Sequence, residues 1–209
     1  MKRPILLFIT AILISGCATY RAYYDINLLS VERPAEAEKR YGEQIISKFE
    51  DKGTEKYCFE DNSVKIKWLP SPFDFAFELT NKTGYTIRII WDDAAFVDTD
   101  GMSHRVIHSG VAYSNVGVSM APTAVAKQGT VSDFVFPSDY IFWNGWNWVR
   151  NAIFPAVADT NYIGQTRWSL ERDSKPFIGQ TVKIILPIQI QDITNDYVFA
   201  FKINNVEVK

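Results

Sequence analysis

Apolar residues recur at every second position through most of this chain. Val64, Ile66 and Trp68 alternate with Lys65 and Lys67, and Phe73, Phe75, Phe77 and Leu79 alternate with Asp74, Ala76, Glu78 and Thr80. Successive side chains of a β-strand point to opposite faces, so a period of two predicts strands with one buried face. Asn81-Lys82-Thr83-Gly84 supplies turn residues, after which Tyr85, Ile87, Ile89 and Trp91 resume the alternation, which predicts a hairpin. Asp98-Thr99-Asp100-Gly101 is a second turn, between Ala94-Ala95-Phe96-Val97 and the run from Ser103 to His108. Near the C-terminus Val182, Ile184, Leu186, Ile188 and Ile190 share a face. A turn around Thr194-Asn195-Asp196 then leads to Tyr197, Phe199, Phe201 and Ile203. Shorter strand candidates are 130–136 and 167–172.

About seven to nine antiparallel strands, with Gly, Asn and Asp turns and no alternating helices, predict an all-β sandwich over 54–209. The Asn-Lys-Thr-Gly turn, the aromatic alternation and the Asp100-Gly101 hairpin make this body similar to uncharacterised Ig-like domains of bacterial envelope lipoproteins. The disulfide of immunoglobulin domains has no counterpart, and the resemblance implies a fold without one common function.

Upstream of the strands the period changes. Pro34 suits a first helical turn, and Ala37, Tyr41, Ile45 and Phe49 recur every fourth residue among Glu36, Glu38, Lys39, Arg40 and Glu43, which predicts an amphipathic helix over 34–53 that stops at Gly53. Residues 17–33 show no sustained period and read as a short tether. Before them, Lys2 and Arg3 open an apolar stretch from Ile5 to Ile14 that ends in small residues, the layout of a signal peptide over 1–16. The stretch is roughly half of the ~20 residues that a membrane span needs.

Ile14-Ser15-Gly16-Cys17 resembles the lipobox of bacterial lipoproteins. The resemblance implies cleavage before Cys17, diacylglycerol on its sulfur and a fatty acyl group such as palmitate on the new amino terminus. It also implies outer-membrane sorting, because Ala18 stands where an Asp would retain the protein at the inner membrane. Two or three acyl chains anchor a protein stably where one is marginal.

Charge and cysteine content agree with export and narrow the partners. The chain has 22 basic and 24 acidic groups, and cleavage before Cys17 would remove two of the basic ones. Nucleic acid is excluded as a partner, since phosphate neutralisation requires clustered Lys and Arg. With Cys17 acylated, Cys58 has no second cysteine to pair with. Set between Tyr57 and Phe59, it reads as a small buried hydrophobe.

Two segments interrupt the strands. Residues 109–129 carry a single charge, Lys127, and read as a long crossover. Residues 140–158 form an aromatic insertion holding three of the six Trp residues, and 148–158 predict a short helix ended near Pro155. Trp143, Trp146, Trp148 and Phe154 are the candidate binding patch. Rings of this kind suit a protein hot spot, a membrane interface or sugar stacking, and the alternative is a hydrophobic plug closing one end of the sandwich.

No other chemistry is expected. His104 and His108, with Asp98 and Asp100, are the candidates considered for a metal, but turn chemistry accounts for the aspartates, and the later ligands of a calcium loop do not follow. No nucleophile elbow, phosphate-binding glycine loop or His-Glu-x-x-His is present. The expectation is a non-enzymatic lipoprotein without cofactor or metal. It is anchored to the membrane by lipid and acts as a binding, adaptor or assembly module for an envelope protein. A glycan- or small-molecule-binding domain is the alternative, and a cell-wall hydrolase is a third reading.

Overall fold

A computed structural model describes residues 18–51 and 54–209. The segment expected to be a signal peptide, the lipobox-like run with Cys17, and Gly53 lie outside the described residues. In chain order the elements are β1 (Thr19–Glu32), α1 (Ala37–Tyr41), β2 (Ile45–Asp51), β3 (Thr54–Glu60), β4 (Val64–Pro70), β5 (Phe75–Asn81), β6 (Ile87–Ile89), β7 (Ala95–Val97), β8 (Ser103–Ile107), β9 (Thr123–Val125) and β10 (Thr130–Pro137). They continue with β11 (Ile141–Trp143), β12 (Trp148–Arg150), β13 (Val157–Asp159), α2 (Arg167–Ser174), β14 (Thr181–Ile190) and β15 (Ile193–Val208).

The fold is all-β, but it is not the expected two-sheet sandwich of about seven to nine strands. Thirteen strands belong to one antiparallel sheet in the order β13-β1-β15-β14-β7-β8-β10-β5-β4-β3-β2, with β6 and β9 branching from β14. The sheet curls strongly into a half-barrel. Two strands carry the hydrogen bonding around the corners where a sandwich would break. In β10, Thr130 to Val135 pair with β5 while Phe136 and Pro137 pair with β8. In β14, Lys183 to Ile185 pair with β7 while Ile188 to Ile190 pair with β6.

Curling brings β3, β4 and β5 against β15 across one aromatic core. Trp68 on β4 lies 4.9 Å from Phe199 and 5.1 Å from Phe201, ring centre to ring centre, and Phe59 on β3 meets Tyr197 and Phe199 edge-on. The alternation from Val64 to Leu79 is the inner face of this limb, and every apolar position in it except Phe73 is buried.

The regions before the body differ most from expectation. Residues 19–32 are not a tether: β1 pairs with β15 from Ala22↔Val208 to Glu32↔Val198. Its inward positions alternate through Tyr20, Ala22, Tyr24, Ile26 and Leu28, and the register shift at Leu28/Ser30 then moves the inward face to Val31, while the shift at Asp25/Ile26 places its extra residue on β15. The helix expected over 34–53 is limited to α1. Gly42, at φ +72°, ends it, and a Cβ there would come within 2.3 Å of the Asn62 side chain. Ile45 then opens edge strand β2 with 62% of its surface exposed, outside the stripe to which its spacing assigned it.

Several local expectations change for similar reasons. β5 does not form a hairpin with β6, because Asn81 turns inward. Its Nδ2 donates to the carbonyls of Tyr85, Val125 and Ala126, which ties the turn to the crossover beyond β9. The β7–β8 hairpin forms. The β14–β15 turn lies at Gln191 and Asp192, with Gln191 at φ +54°, and not at Thr194 to Asp196. Residues 167–174 are helical because Thr166 and Ser169 make a reciprocal capping box. Residues 148–158 hold β12 and β13 in place of a helix.

A buried ion pair closes the curl opposite the N-terminal corner. Asp61, in the β3–β4 turn, accepts from the N–H groups of Ser63 and Val64, from Arg33 Nη1 at 3.1 Å just past β1, and from the Tyr197 hydroxyl at 3.1 Å on β15. The Asp61 side chain is fully buried, and that of Arg33 is nearly so.

Candidate functional site

β11 and β12 form a separate two-stranded ribbon that projects from the sheet. Its register is Ile141↔Arg150, Phe142↔Val149 and Trp143↔Trp148. Asn144 builds the tip: its Oδ1 accepts from the N–H groups of Trp146 and Asn147, and Gly145 adopts φ +99°. That conformation admits a glycine readily and a side chain poorly.

The base is clamped by Arg150. One guanidinium nitrogen donates to the Phe73 carbonyl at 2.6 Å and to Asp74 Oδ2 at 3.0 Å, and the group stacks 4.0 Å from the Phe136 ring centre. The ribbon is therefore a fixed projection with no charged side chain between Ile141 and Val149.

Three of the four predicted patch residues come together here. Trp146 at the tip is 88% exposed and Trp143 54%, and Trp143 packs edge-on against Trp148 with ring centres 5.9 Å apart. Phe142 adds a further exposed ring. The ribbon's rings thus do not plug the body, whereas Ile141, Ile153 and Phe154 of the same insertion are buried. Phe154 does not join the patch: it is buried between Tyr24 and Phe177, with ring centres at 5.3 Å and 5.2 Å. The tryptophan run signals this site in the sequence. Arg150, which positions it, carries no local signal because its partners lie 76 and 77 residues away.

The other candidates take structural positions. His104 bridges Asp139 through Nδ1 at 2.7 Å and Asp98 through Nε2 at 3.1 Å. His108 stacks flat on Trp91 at 4.2 Å and meets Asp133 instead. The two histidines therefore serve separate carboxylates, and Asp100 touches neither of them among the hydrogen bonds of the described residues. No group of three or more His, Cys, Asp or Glu suited to a metal occurs among the described residues. Cys58 is buried, and that burial pushes its thiol above the usual range, with Lys65 opposing the shift.

The crossover 109–129 is held by Asp92, which accepts from Arg105, the Met120 N–H and the Ser119 hydroxyl. Beside it lies an open groove of about 370 Å³ lined by His108, Val111, Asn115 and Met120.

His104 roots the ribbon, since Asp139 and Tyr140 immediately precede β11 and the Tyr140 ring packs edge-on against the imidazole. Burial disfavours the charged ring, but the bonds to Asp139 and Asp98 outweigh it and raise the His104 pKa. Burial likewise opposes ionisation of Asp98, but His104 and the N–H groups of Met102 and Asp100 outweigh it and lower the Asp98 pKa. A raised imidazole pKa stabilises the fold fully below the unfolded value of about 6.5, and this stability is lost as pH rises through the folded value. The lowered Asp98 pKa acts in the opposite sense, so its contribution is lost only as pH falls through that value. His104→Gln is therefore expected to lower the melting temperature at about pH 5.5 and to have a smaller effect at about pH 8.5. An equal loss at both values would exclude a charged His104 bridge.

No helix among the described residues is long and apolar enough to cross a membrane. Comparison with protein-family models, curated proteins and solved structures finds no match for this chain.

Proposed function

We propose that this protein is a lipid-anchored envelope protein, attached through Cys17 to a bacterial outer membrane, that works as a non-enzymatic binding module with the tryptophan ribbon as its docking element. The observation that carries this reading is the exposure of Trp143, Trp146 and Trp148 together on a clamped hairpin that carries no charged side chain from Ile141 to Val149. Large rings held in a fixed conformation lose little entropy when a partner covers them, and Trp is the residue most enriched at interface hot spots. The occupant is an envelope protein with an apolar recess.

The test places a photo-crosslinking residue at position 146 of the full chain in living cells. The expected result is one discrete protein adduct that is lost when Trp143→Ala and Trp148→Ala are added. Adducts to cell-wall glycan alone, or a protein adduct unaffected by those changes, would overturn the docking assignment. Lipid labelling lost in Cys17→Ser checks the anchor separately.

A further inference from the structure

No tether separates the acylation position from the fold. Only Ala18 lies between Cys17 and Thr19, where β1 begins. Ala18 is itself held against the residue after β13. Its N–H donates to Thr160 Oγ1 at 2.9 Å, and its carbonyl accepts from the Thr160 N–H at 3.1 Å and hydroxyl at 2.9 Å. Consecutive Cα atoms are about 3.8 Å apart, so acyl chains on Cys17 start one residue from this pinned corner. The interfacial layer of each leaflet is about 5–8 Å deep, which leaves the corner no room to stand clear of the headgroups.

The loop that shares the corner suits that layer. From Thr160 to Thr166 it carries no charged side chain, and it presents Tyr162 and a fully exposed Ile163 at its tip. It is ordered from within. The Tyr162 N–H donates to the Asp159 carbonyl, the Gln165 N–H to the Tyr162 carbonyl and the Asp159 N–H to Gln165 Oε1, while Gly164 turns the chain at φ +84°. Ile163 lies three residues beyond Thr160, at most about 11 Å of extended chain. Trp168 follows in the first turn of α2, largely exposed, with the Arg172 guanidinium 5.2 Å from its ring centre. Tyr and Trp concentrate at the headgroup level of membranes because one side of the ring is apolar and the other polar.

We propose that Tyr162, Ile163 and Trp168 form a membrane-seating surface that enters the bilayer interface beside Cys17 and holds the domain directly on the lipid. This rests on the acylation of Cys17 proposed above. It also narrows the partner of the ribbon. The Ile153 N–H donates to the Pro72 carbonyl, Arg150 grips the Phe73 carbonyl, and Pro72 and Phe73 share an apolar groove of about 260 Å³ with Arg21, Tyr23 and Val157. The base of the ribbon thus stands at the anchor end of β1, and a protein seated at the membrane is the partner within its reach.

The experiment uses the lipidated full chain in phosphatidylethanolamine–phosphatidylglycerol vesicles. An environment-sensitive fluorophore is attached to Ile163→Cys, or to Tyr85→Cys in the exposed turn after β5, at the far end of that strand from Phe73. Buried Cys58 is changed to Ser in both. Lipids carrying a quencher near the headgroup are expected to quench the probe at position 163 severalfold more than the probe at 85. Equal, weak quenching at both positions, with Cys17 shown to be acylated and the protein bound to vesicles, would overturn the seating surface and leave the anchor intact. A chain that carries no acyl group would overturn both.

Discussion

Asp61→Ala is expected to destabilise the domain by about 3–5 kcal/mol, the range for breaking a buried ion pair by removing one partner. The carboxylate accepts four hydrogen bonds, and each donor is left without its acceptor in the variant. Arg33 is the most costly of these donors, because its side chain is only 8% exposed and would remain charged. The pair also joins the end of β1 to the β3–β4 turn, and the Tyr197 hydroxyl brings in β15, so one substitution loosens the closure of the curl from three sides. Urea denaturation followed by intrinsic fluorescence measures the loss. Arg33→Met with Asp61→Leu is expected to recover part of it, since an apolar pair leaves no charge behind. A loss below about 1 kcal/mol for Asp61→Ala would show that water reaches the site and that the pair does not close the fold.

Trp68→Ala is expected to have a similar effect, about 3–5 kcal/mol, through the cavity left where the two limbs of the sheet meet. Trp68 is fully buried and touches Phe77 on its own limb and Phe199 and Phe201 on the other. Trp68→Phe is expected to do much less harm. It retains most of the ring contact and removes the Nε1–H, a buried donor with no acceptor. Thermal and urea unfolding of the two variants tests the difference. Equal losses would mean that a phenyl ring keeps none of the contact between the limbs and that the full volume of the indole is required.

How far the strands were legible depended on whether their alternation survives locally. Val64 to Leu79 and Val182 to Ile190 read directly, because neither run contains a bulge and each buries one face. β1 keeps its alternation only from Tyr20 to Leu28, with the small Ala22 among its inward positions, and the shift at Leu28/Ser30 then moves the inward face to Val31, so no sustained period marks the strand. The i,i+4 spacing from Ala37 to Phe49 was misleading because Gly42 breaks it, after which the β-branched Ile45 and Ile46 pair at a sheet edge. In the aromatic ribbon the composition marked the right rings, while exposure separated Trp143, Trp146 and Trp148 from Phe154. Exposure at a ribbon follows from how its base docks, and that base is held by Phe136 nearby and by Phe73 and Asp74, 77 and 76 residues away from Arg150.

What is local was legible along the chain: the inward face of each regular strand, the turn at Asp98 to Gly101, the tryptophan cluster and the resemblance of Ile14 to Cys17 to a lipobox. These depend on side-chain periodicity and residue type within a few positions. The tertiary structure alone decided what depends on pairing between distant segments. It made one curled sheet where two were expected, because β10 and β14 each pass from one partner to another along their length. It also set Ala18 against Thr160, 142 residues away, and so turned an apparent tether into a strand that begins two residues after Cys17.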